Sequence, residues 1–328
     1  MIDYGLPRDV NNILIVRLGA MGDILHALPA AIALRRSFPS ARMVWAVEEK
    51  WAPLLERNGI VDDVVLFHRH RPGTWNKTRR ALRAYRFDLA VDFQGLIKSA
   101  LVAHFARPER IAGFDAGFAR ERAASWFYST CVRPKSVHVV DQALELAAGA
   151  GADRGQVEAC ARVFPLPPGA PEGTLPESPF VFACPLAGWT SKQWPLENYR
   201  QLAAMVRTRL GMPLVINGAP GSLPDVPWAI RHESGIPGLI DATRRAALVV
   251  GVDSGPLHLA AALGKSGAAI FGPTDPARNG PRGGDFEVFR IAGVKTTHRR
   301  GDTIDPSMQA ITPEQVFAAL ASRIGCHA

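Results

Sequence analysis

Short apolar runs alternate along the chain with segments whose apolar residues have helical spacing. Buried strands are predicted at the apolar runs 12–17, 42–47, 63–67, 88–93 and 110–114. Helices are predicted at 23–36 and 96–105, and a basic helix is predicted to end at 82–86. Repeated units of one strand and one helix predict a parallel sheet that is covered by helices on both faces.

A proline-rich segment at 166–179 interrupts this pattern and predicts a semi-rigid linker. Beyond it, strands are predicted at 180–184, 213–217, 248–252 and 266–271. Helices are predicted at 196–210, 256–263 and 313–323, the last with Thr312 as its N-cap. Between residues 219 and 245, Pro224, Pro227 and Gly235 predict little helix.

The two patterns together indicate an α/β protein with two Rossmann-like domains, at 1–165 and 180–328. The last helix is a candidate to pack back on the first domain. Ligands of doubly wound domains bind at the carboxyl ends of the strands, so we expect a binding cleft between the two domains.

The composition is that of an ordinary globular protein, with 47% hydrophobic and 21% charged residues, which argues against a disordered or fibrous chain. No apolar run is long enough to span a bilayer. The first ten residues are charged and contain a proline, which predicts that the chain is not exported. The cysteines are scattered along the chain, which argues against a zinc site or disulfide framework and fits a reducing cytoplasm.

The formal net charge of +8 suits an anionic partner, such as nucleic acid, a membrane surface or a phosphorylated substrate. The positive charge is concentrated between residues 68 and 86, where no acidic residue interrupts nine basic or histidine side chains. No recognised nucleic-acid-binding motif accompanies it, so we expect no nucleic-acid partner. A solvated helix face is the plain alternative for this stretch.

The first candidate site follows the first strand. Gly19 and Gly22 allow a tight turn and a close approach to a ligand, but the third glycine of a dinucleotide-binding turn is missing, which disfavours an NAD-dependent oxidoreductase. Asp23 stands at the start of the following helix. It either caps that helix or points to the ligand as an ionised carboxylate that accepts a proton from a hydroxyl.

Two further candidate sites lie in the second half. Lys192 is in a polar loop between two tryptophans, where it is either a phosphate contact or a surface lysine. The segment 252–258 joins a buried strand to a helix whose free N–H groups form an anion site. Asp253 and His258 lie in this turn, and 272–276 ends the next strand at the same edge. Two such turns side by side favour a diphosphate pocket over capping alone.

Five blocks, in order, carry a resemblance to a known family: GAMGDILHALPA, DFQGLIKSA, SKQWP, VVGVDSGPLHLAAALG and FGPTDP. They span nearly the whole chain, which resembles glycosyltransferase family 9, the ADP-heptose:lipopolysaccharide heptosyltransferases, and is most similar to the heptosyltransferase I branch. The resemblance implies a GT-B fold, with the acceptor in the N-terminal half and the nucleotide-sugar in the C-terminal half. It also implies an inverting single displacement that uses neither a metal nor a cofactor.

The resemblance further implies a role for each matching residue. Asp23 would be the general base. The residues implied at the donor are Thr190, Lys192, Asp253, Ser254, Gly255, His258, Gly272, Thr274 and Asp275. The residues implied at an anionic acceptor, such as the Kdo region of lipopolysaccharide, are Gly22, Arg69, Arg71, Arg79, Arg80, Arg83, Gln94, Lys98 and Arg120. An acceptor of this kind would bring the enzyme to the inner face of the cytoplasmic membrane.

The region 219–245 departs from the family pattern, because the segment 238–243 looks shortened and an acidic residue expected near the ribose is missing. That leaves the nucleotide and the sugar open. One alternative is therefore a family member with another nucleotide-sugar or a non-lipopolysaccharide acceptor. A second alternative is a non-catalytic nucleotide-binding protein, which would bind nucleotide without turnover.

Overall fold

The structure is a computed structural model of the 328-residue chain, and it describes residues 10–68, 73–297 and 300–324. The chain divides into two compact units, residues 1–167 and 168–328. Within the described part of the chain, no helix has the length and apolar content that crossing a membrane requires.

The first unit holds a parallel sheet with helices on both faces. Its strands are β1 (Asn12–Val16), β2 (Arg42–Glu48), β3 (Asp63–Phe67), β4 (Leu89–Asp92), β5 (Arg110–Phe114) and β6 (Thr130–Val132). Its α-helices are α1 (Met21–Ser37), α2 (Thr74–Arg83), α3 (Ile97–Phe105), α4 (Val139–Ala150) and α5 (Arg154–Cys160). Two 3-10 helices complete it, at Glu49–Leu54 and Arg122–Phe127.

The six strands of this sheet run parallel in the order β3-β2-β1-β4-β5-β6. From β1 the chain adds β2 and β3 toward one edge of the sheet. It then crosses back to place β4 beside β1 and adds β5 and β6 toward the other edge. Because such connections are right-handed, α1 lies on one face, where it packs against α4 and α5, and α2 and α3 lie on the other. The order reverses between β1 and β4, and that switch point is where doubly wound sheets bind ligands.

The second unit repeats this architecture. Its strands are β7 (Val181–Cys184), β8 (Leu214–Gly218), β9 (Ile230–Glu233), β10 (Leu248–Val252), β11 (Ser266–Ile270) and β12 (Asp285–Phe289). Its α-helices are α6 (Leu196–Leu210), α7 (Ile236–Arg245), α8 (Gly255–Ala262), α9 (Pro276–Asn279), α10 (Pro306–Gln309) and α11 (Pro313–Ile324). A 3-10 helix spans Thr190–Lys192.

The second sheet is parallel with the strand order β12-β11-β10-β7-β8-β9. If its strands are numbered from one within the unit, this order read backwards is 3-2-1-4-5-6, the same as in the first sheet. Its switch point lies between β7 and β10. The helix α11 packs on α6 and β11 of the same unit. Thr312 caps it as expected, since its Oγ1 accepts a hydrogen bond from the Gln315 N–H at 3.4 Å.

The proline-rich segment 166–179 contains no helix or strand, but it is not a free spacer. The Ala170 N–H donates to the Pro237 carbonyl at 3.1 Å, and a Glu172 carboxylate oxygen accepts from the Gly235 N–H at 2.7 Å. At Gly169, with φ of +82°, a Cβ would come within 2.7 Å of the Asp241 nitrogen. The segment is therefore fastened to α7 of the second unit.

Two sequence expectations are wrong. The basic helix ends at Arg83, before the predicted 86, and Arg86 has a left-handed backbone with φ of 48°. The region 219–245 is not poor in structure, because it holds β9 and the ten-residue α7. Gly235 is the N-cap of α7 and Pro237 lies in its first turn, where a missing N–H costs nothing, so Gly235 starts a helix that it was expected to oppose. Pro224 and Pro227 lie outside any helix, as expected.

Candidate functional site

Asp23 lies at the switch point of the first unit, in the first turn of α1. Its Oδ2 accepts a hydrogen bond from the Ala20 N–H at 3.3 Å, so the carboxylate does cap the start of the helix. This contact occupies only one of its lone pairs, and its side chain remains 25% exposed. Capping and a chemical role are therefore compatible for this residue.

Two arginines hold the Asp23 carboxylate. Arg17, at the end of β1, places Nη2 2.7 Å from Asp23 Oδ1, and Arg120 Nη2 donates to both carboxylate oxygens at 2.8 and 2.9 Å. Burial alone would raise the pKa of Asp23, but the charges of Arg17 and Arg120 outweigh it and hold that pKa well below its usual range. Asp23 is thus ionised throughout the physiological pH range.

The two arginines differ in how exposed their side chains are. The Arg17 side chain is 8% exposed and also donates to the Phe93 carbonyl, whereas the Arg120 side chain is 46% exposed. Gly95 brings the loop after β4 close to Arg120: it has φ of +68°, and a Cβ there would meet the Arg120 nitrogen at 3.2 Å. Arg17 is a fixed neighbour of Asp23, and Arg120 is a neighbour that solvent and ligands can reach.

A buried network holds the loop after β4. The Gln94 side-chain carbonyl accepts from the Leu18 N–H at 2.8 Å. Asp92, which is fully buried, accepts from the Gln94 N–H, the Ser99 hydroxyl and the Tyr128 hydroxyl, each at 2.8 Å. Burial raises the pKa of Asp92, and burial together with Asp92 raises the pKa of Tyr128. Gln94 therefore fixes the loop beside Asp23.

The other residues expected at the acceptor are spread over the unit. Gly22 lies in α1 next to Asp23, and Lys98 pairs with Glu48 at 3.3 Å. The side chains expected on the basic helix lie along α2, where the Arg83 Nε donates to the Phe105 carbonyl at 3.1 Å. Arg69 and Arg71 lie outside the described residues. The structure brings Arg120 to Asp23 and ties Gln94 to Leu18 at the end of β1, while α2 packs against β3 and α3.

The switch point of the second unit holds a carboxylate between two nitrogens. Lys192 Nζ lies 2.6 Å from Asp253 Oδ2, and His258 Nε2 lies 3.3 Å from Asp253 Oδ1. The side chains of Asp253 and His258 are about as buried as core residues, at 5% and 6% exposed, and Lys192 is 15% exposed. Lys192 Nζ also lies 4.4 Å above the Trp189 ring.

The ionisation of Asp253 follows from these contacts. Burial alone would raise its pKa, but the contact with His258 and the charges of His258 and Lys192 hold it well below its usual range. A buried carboxylate that is satisfied on both oxygens orients its partners and has little capacity left for a ligand. Of the two basic partners of Asp253, Lys192 is the more exposed, at 15% against 6% for His258.

Two of the donor-site candidates, Ser254 and Thr274, are among the residues of this unit whose buried hydroxyls lack a partner within the described part of the chain. The Ser254 and Thr274 hydroxyl oxygens are buried and have no hydrogen bond to any residue in 10–68, 73–297 or 300–324. Ser254 is the N-cap of α8, whose first-turn N–H groups begin at Gly255 and point beyond the helix. An anion at this helix end would have donors from both backbone and side chain.

The remaining candidates for the donor site are Thr190, Gly272 and Asp275, which lie on different segments of the second unit. Asp275 Oδ1 caps α9 by accepting from the Ala277 N–H at 3.0 Å, and the same oxygen lies 3.6 Å from Arg290 Nη1, so Oδ1 is engaged within the protein. A Cβ at Gly272 would meet Met308 Sδ at 2.6 Å, so glycine permits close packing of α10 there. Thr190 is exposed at the start of the 3-10 helix that carries Lys192.

Comparison with known proteins decides the family. The sequence model described as glycosyltransferase family 9 (heptosyltransferase) matches residues 75–220 and 231–305. The chain belongs to glycosyltransferase family 9. Lipopolysaccharide heptosyltransferase 1 of Salmonella typhimurium is 31% identical over 309 residues, 83% of this chain and 91% of the relative. The protein of the same name from Escherichia coli K12 is 30% identical over 318 residues, 85% and 93% of the two chains.

The structural comparison agrees with the family. A solved structure of the E. coli heptosyltransferase WaaC with ADP-2-deoxy-2-fluoro heptose matches with a TM-score of 0.71 at 25% identity, covering 97% of this chain and all of the other. The family 9 chain therefore has the GT-B fold, with two Rossmann-type domains. The break in the family match, at 221–230, falls in the loop that carries Pro224 and Pro227. The match resumes at residue 231, so it includes α7.

Sequence reasoning missed Arg17 and the Asp92–Tyr128 network. Arg17 carried a signal, because a charged residue at the end of the apolar run 12–16 must have a buried partner. Tyr128 carried none, since its partner Asp92 is 36 residues away. Trp189 was noticed only as a neighbour of Lys192, and its contact with the ammonium depends on the fold of the loop.

Proposed function

We propose that this heptosyltransferase-family protein is an inverting enzyme that moves heptose from ADP-heptose to a hydroxyl of an anionic glycolipid, the Kdo region of the lipopolysaccharide inner core. The observation that carries the proposal is the Asp23 carboxylate, which is partly exposed at a switch point and ionised between two arginines. The names of the relatives support heptose and lipopolysaccharide, and the heptose analogue bound in the matching structure supports an ADP donor.

The chemistry is a direct displacement at the anomeric carbon. The acceptor oxygen forms a bond to that carbon as the bond to the diphosphate oxygen breaks, and the configuration inverts. Asp23 accepts the proton of the attacking hydroxyl. The leaving ADP gains negative charge, which Lys192, the Ser254 hydroxyl and the N–H groups of α8 stabilise. These groups supply the charge that a divalent metal would otherwise supply, so the reaction needs no metal.

The two arginines weaken Asp23 as a base, because a carboxylate with a depressed pKa attracts a proton weakly. We expect the acceptor to relieve this effect by drawing Arg120 away from Asp23. Its side chain is 46% exposed, and an anionic acceptor competes with Asp23 for the same guanidinium. When Arg120 turns to the acceptor, Asp23 loses one of the charges that depress its pKa and gains two free lone pairs. The base thus becomes stronger when the acceptor is bound.

Asp253 has a positioning role in this proposal. A second carboxylate beside a diphosphate would repel it, and Asp253 is 5% exposed with both oxygens occupied. It fixes Lys192 and His258 against the start of α8. The donor contacts then come from Lys192, Ser254 and the helix N–H groups.

The test is transfer with a defined donor and acceptor. The purified protein is incubated with ADP-heptose and a soluble Kdo-containing acceptor, with EDTA present, and product is followed by mass spectrometry and anomeric NMR. The proposal expects a heptosylated product of inverted configuration and ADP as the second product. Turnover only with another nucleotide-sugar would move the chain to another donor within the family. Nucleotide binding without any turnover would make it a binding protein.

A further inference from the structure

The exposed arginine on Asp23 belongs to the loop 115–121, which joins β5 to the 3-10 helix Arg122–Phe127. The Arg120 side chain is 46% exposed, and its Nη2 reaches the two Asp23 oxygens at 2.8 and 2.9 Å. A long side chain at an exposed contact loses rotamer freedom when it is held in one geometry. The position of the Arg120 guanidinium therefore depends on how firmly the backbone of this loop is held.

The next residue along the chain, Glu121, fastens the loop to the start of α3. Its Oε2 accepts a hydrogen bond from the Ile97 N–H at 2.7 Å, and its own N–H donates to the Gly95 carbonyl at 2.9 Å. Ile97 is the first residue of α3, where backbone N–H groups lack partners within the helix and a carboxylate is favoured by the helix dipole. The side chain and the backbone of Glu121 thus both hold the loop to α3.

The backbone conformation sends these two neighbouring side chains to different partners. Glu121 is extended, with φ of −121° and ψ of 114°. In an extended segment, consecutive side chains point to opposite sides. The Glu121 carboxylate is accordingly engaged with α3, while the Arg120 guanidinium reaches Asp23 at the start of α1. Fixing Glu121 on α3 therefore directs Arg120 toward Asp23.

The structure to which Glu121 is attached is itself buried and well anchored. The fully buried Asp92 accepts from the Gly95 N–H at 3.3 Å and from the Ser99 hydroxyl of α3 at 2.8 Å. A Cβ at Gly95 would meet the Ala119 Cα at 3.2 Å, so the loop packs directly on this anchor. Buried, charge-assisted hydrogen bonds of this kind are strong. Glu121 therefore transmits a fixed position from α3 to the loop.

We propose that Glu121 is a positioning residue, whose contact with the start of α3 holds the loop 115–121 so that Arg120 lies on Asp23 and is presented to the anionic acceptor. The inference rests on the proposed function, which gives Arg120 and Asp23 their roles. Without the contact, Arg120 samples more orientations and loses more entropy when the acceptor binds. Glu121 thus acts on the reaction through Arg120.

The kinetic test is a double-mutant cycle with ADP-heptose and a soluble Kdo-containing acceptor. Glu121→Ala should raise the acceptor KM about threefold, as for loss of one exposed helix cap, and change kcat less. In the Arg120→Ala background, the same change should have no further effect. Glu121→Gln should restore most of the KM, because its amide oxygen can still accept from the Ile97 N–H. Glu109→Ala is the control for charge, since Glu109 is exposed and precedes β5, at the other end of that strand from the loop.

The pH profile supplies a second readout. Burial raises the pKa of Asp23, while the charges of Arg17, Arg120 and His26 lower it and outweigh burial. A displaced Arg120 lowers this pKa less. The acid limb of kcat/KM should therefore move to higher pH in Glu121→Ala, in the same direction as in Arg120→Ala but by a smaller amount, and it should return toward wild type in Glu121→Gln.

A measurement without substrates separates this inference from the proposed function. A guanidinium bound to a carboxylate rotates slowly, so the ¹⁵N signals of the two Arg120 Nη atoms, assigned with Arg120→Ala, should be separate in wild type and should merge in Glu121→Ala. Melting temperatures check that the variants are folded. If wild type transfers no sugar, these spectra alone decide the positioning of Arg120.

Three results would overturn the proposal. The first is a guanidinium spectrum that is the same in wild type and Glu121→Ala, whether its signals are separate or merged. The second is an effect of Glu121→Ala on the acceptor KM that persists in the Arg120→Ala background, because Glu121 would then act by another route. The third is an acceptor KM and acid limb that are unchanged in Glu121→Ala or are altered equally by Glu109→Ala.

Discussion

The switch points of the two units are built from the same types of side chain but differ in how exposed those side chains are. Each places a carboxylate between two basic side chains, Asp23 in the first unit and Asp253 in the second. Asp23 is 25% exposed and has an exposed arginine partner, while Asp253 is 5% exposed and its partners are largely buried. A carboxylate that accepts a proton must be reachable by the substrate, whereas one that orients cations is best kept from it. The difference in burial is the one that the proposed roles require, with Asp23 as the base and Asp253 as a positioning group.

The strongest test replaces each carboxylate by its amide. Asp23→Asn should lower kcat by about 10²–10⁴, the usual contribution of a general base, and leave the affinity for ADP unchanged. Asp253→Asn should instead weaken ADP binding and lower kcat less, because it releases Lys192. Steady-state kinetics and calorimetry with ADP measure both. Near wild-type turnover in Asp23→Asn would reduce that residue to a helix cap.

Stability against pH checks the burial of Asp253. Its folded pKa is depressed, so its ionised form stabilises the fold above the unfolded pKa of about 3.9, and this stabilisation is lost as pH falls through the folded value. The melting temperature of Asp253→Asn should therefore lie below that of wild type at neutral pH, and the gap should narrow in acid. A gap that is constant with pH would mean that the charge of Asp253 is not what stabilises its neighbours.

The next effect concerns Lys192, the more exposed of the two basic partners of Asp253. Lys192→Ala removes the ammonium that Asp253 holds at 2.6 Å, and we expect ADP affinity to fall about 10- to 100-fold, the range of one charge-assisted hydrogen bond. Lys192→Arg should restore it only in part, because a planar fork does not replace a compact ammonium. Lys265→Ala is a control, since its Nζ donates to the Arg244 carbonyl, away from Asp253. Equal calorimetric affinities for wild type and Lys192→Ala would remove Lys192 from the donor site.

A smaller effect is expected from the exposed arginine of the first unit. Arg120→Ala should raise the KM for a soluble anionic acceptor about tenfold, the loss of one charge-assisted contact. It also removes a positive charge from Asp23, so the pKa of Asp23 rises and the acid limb of kcat/KM moves to higher pH. Arg122→Ala, two residues along and exposed, is the matched control. An unmoved acid limb with a raised KM would leave Arg120 as an acceptor contact that does not tune the base.

Sequence reasoning succeeded for groups that directly follow strands and failed for contacts between distant segments. Asp23, Lys192 and Asp253 follow β1, β7 and β10, so the alternation of elements alone brings them to the carboxyl edge. The Arg120–Asp23 pair spans 97 residues and depends on the left-handed turn at Gly95, which no local pattern reveals. Pro224 and Pro227 do lie outside any helix, but Gly235 was misjudged, because it is the N-cap of α7 and so starts a helix there.

The smallest expected effect concerns the basic helix α2, which packs against β3 and α3. Replacing Arg79, Arg80 and Arg83 together by Ser should raise the KM for an anionic glycolipid acceptor about threefold at low salt and flatten its dependence on salt. Exposed charges act over a Debye length of about 8 Å at physiological ionic strength, so such an effect must fade as salt rises. The KM for the donor should change less, because the donor candidates lie on the second unit.

The matched control for α2 removes the same charge elsewhere. Arg154, Arg162 and Arg207 are exposed and lie outside α2 and α3. Their joint replacement by Ser changes the net charge equally, so it should leave the acceptor KM and its salt dependence as in wild type. If both triple variants behaved alike, the total charge of the protein would account for the effect. If neither variant differed from wild type, α2 would be a solvated face, and the acceptor contacts would reduce to Arg120 and its neighbours around Asp23.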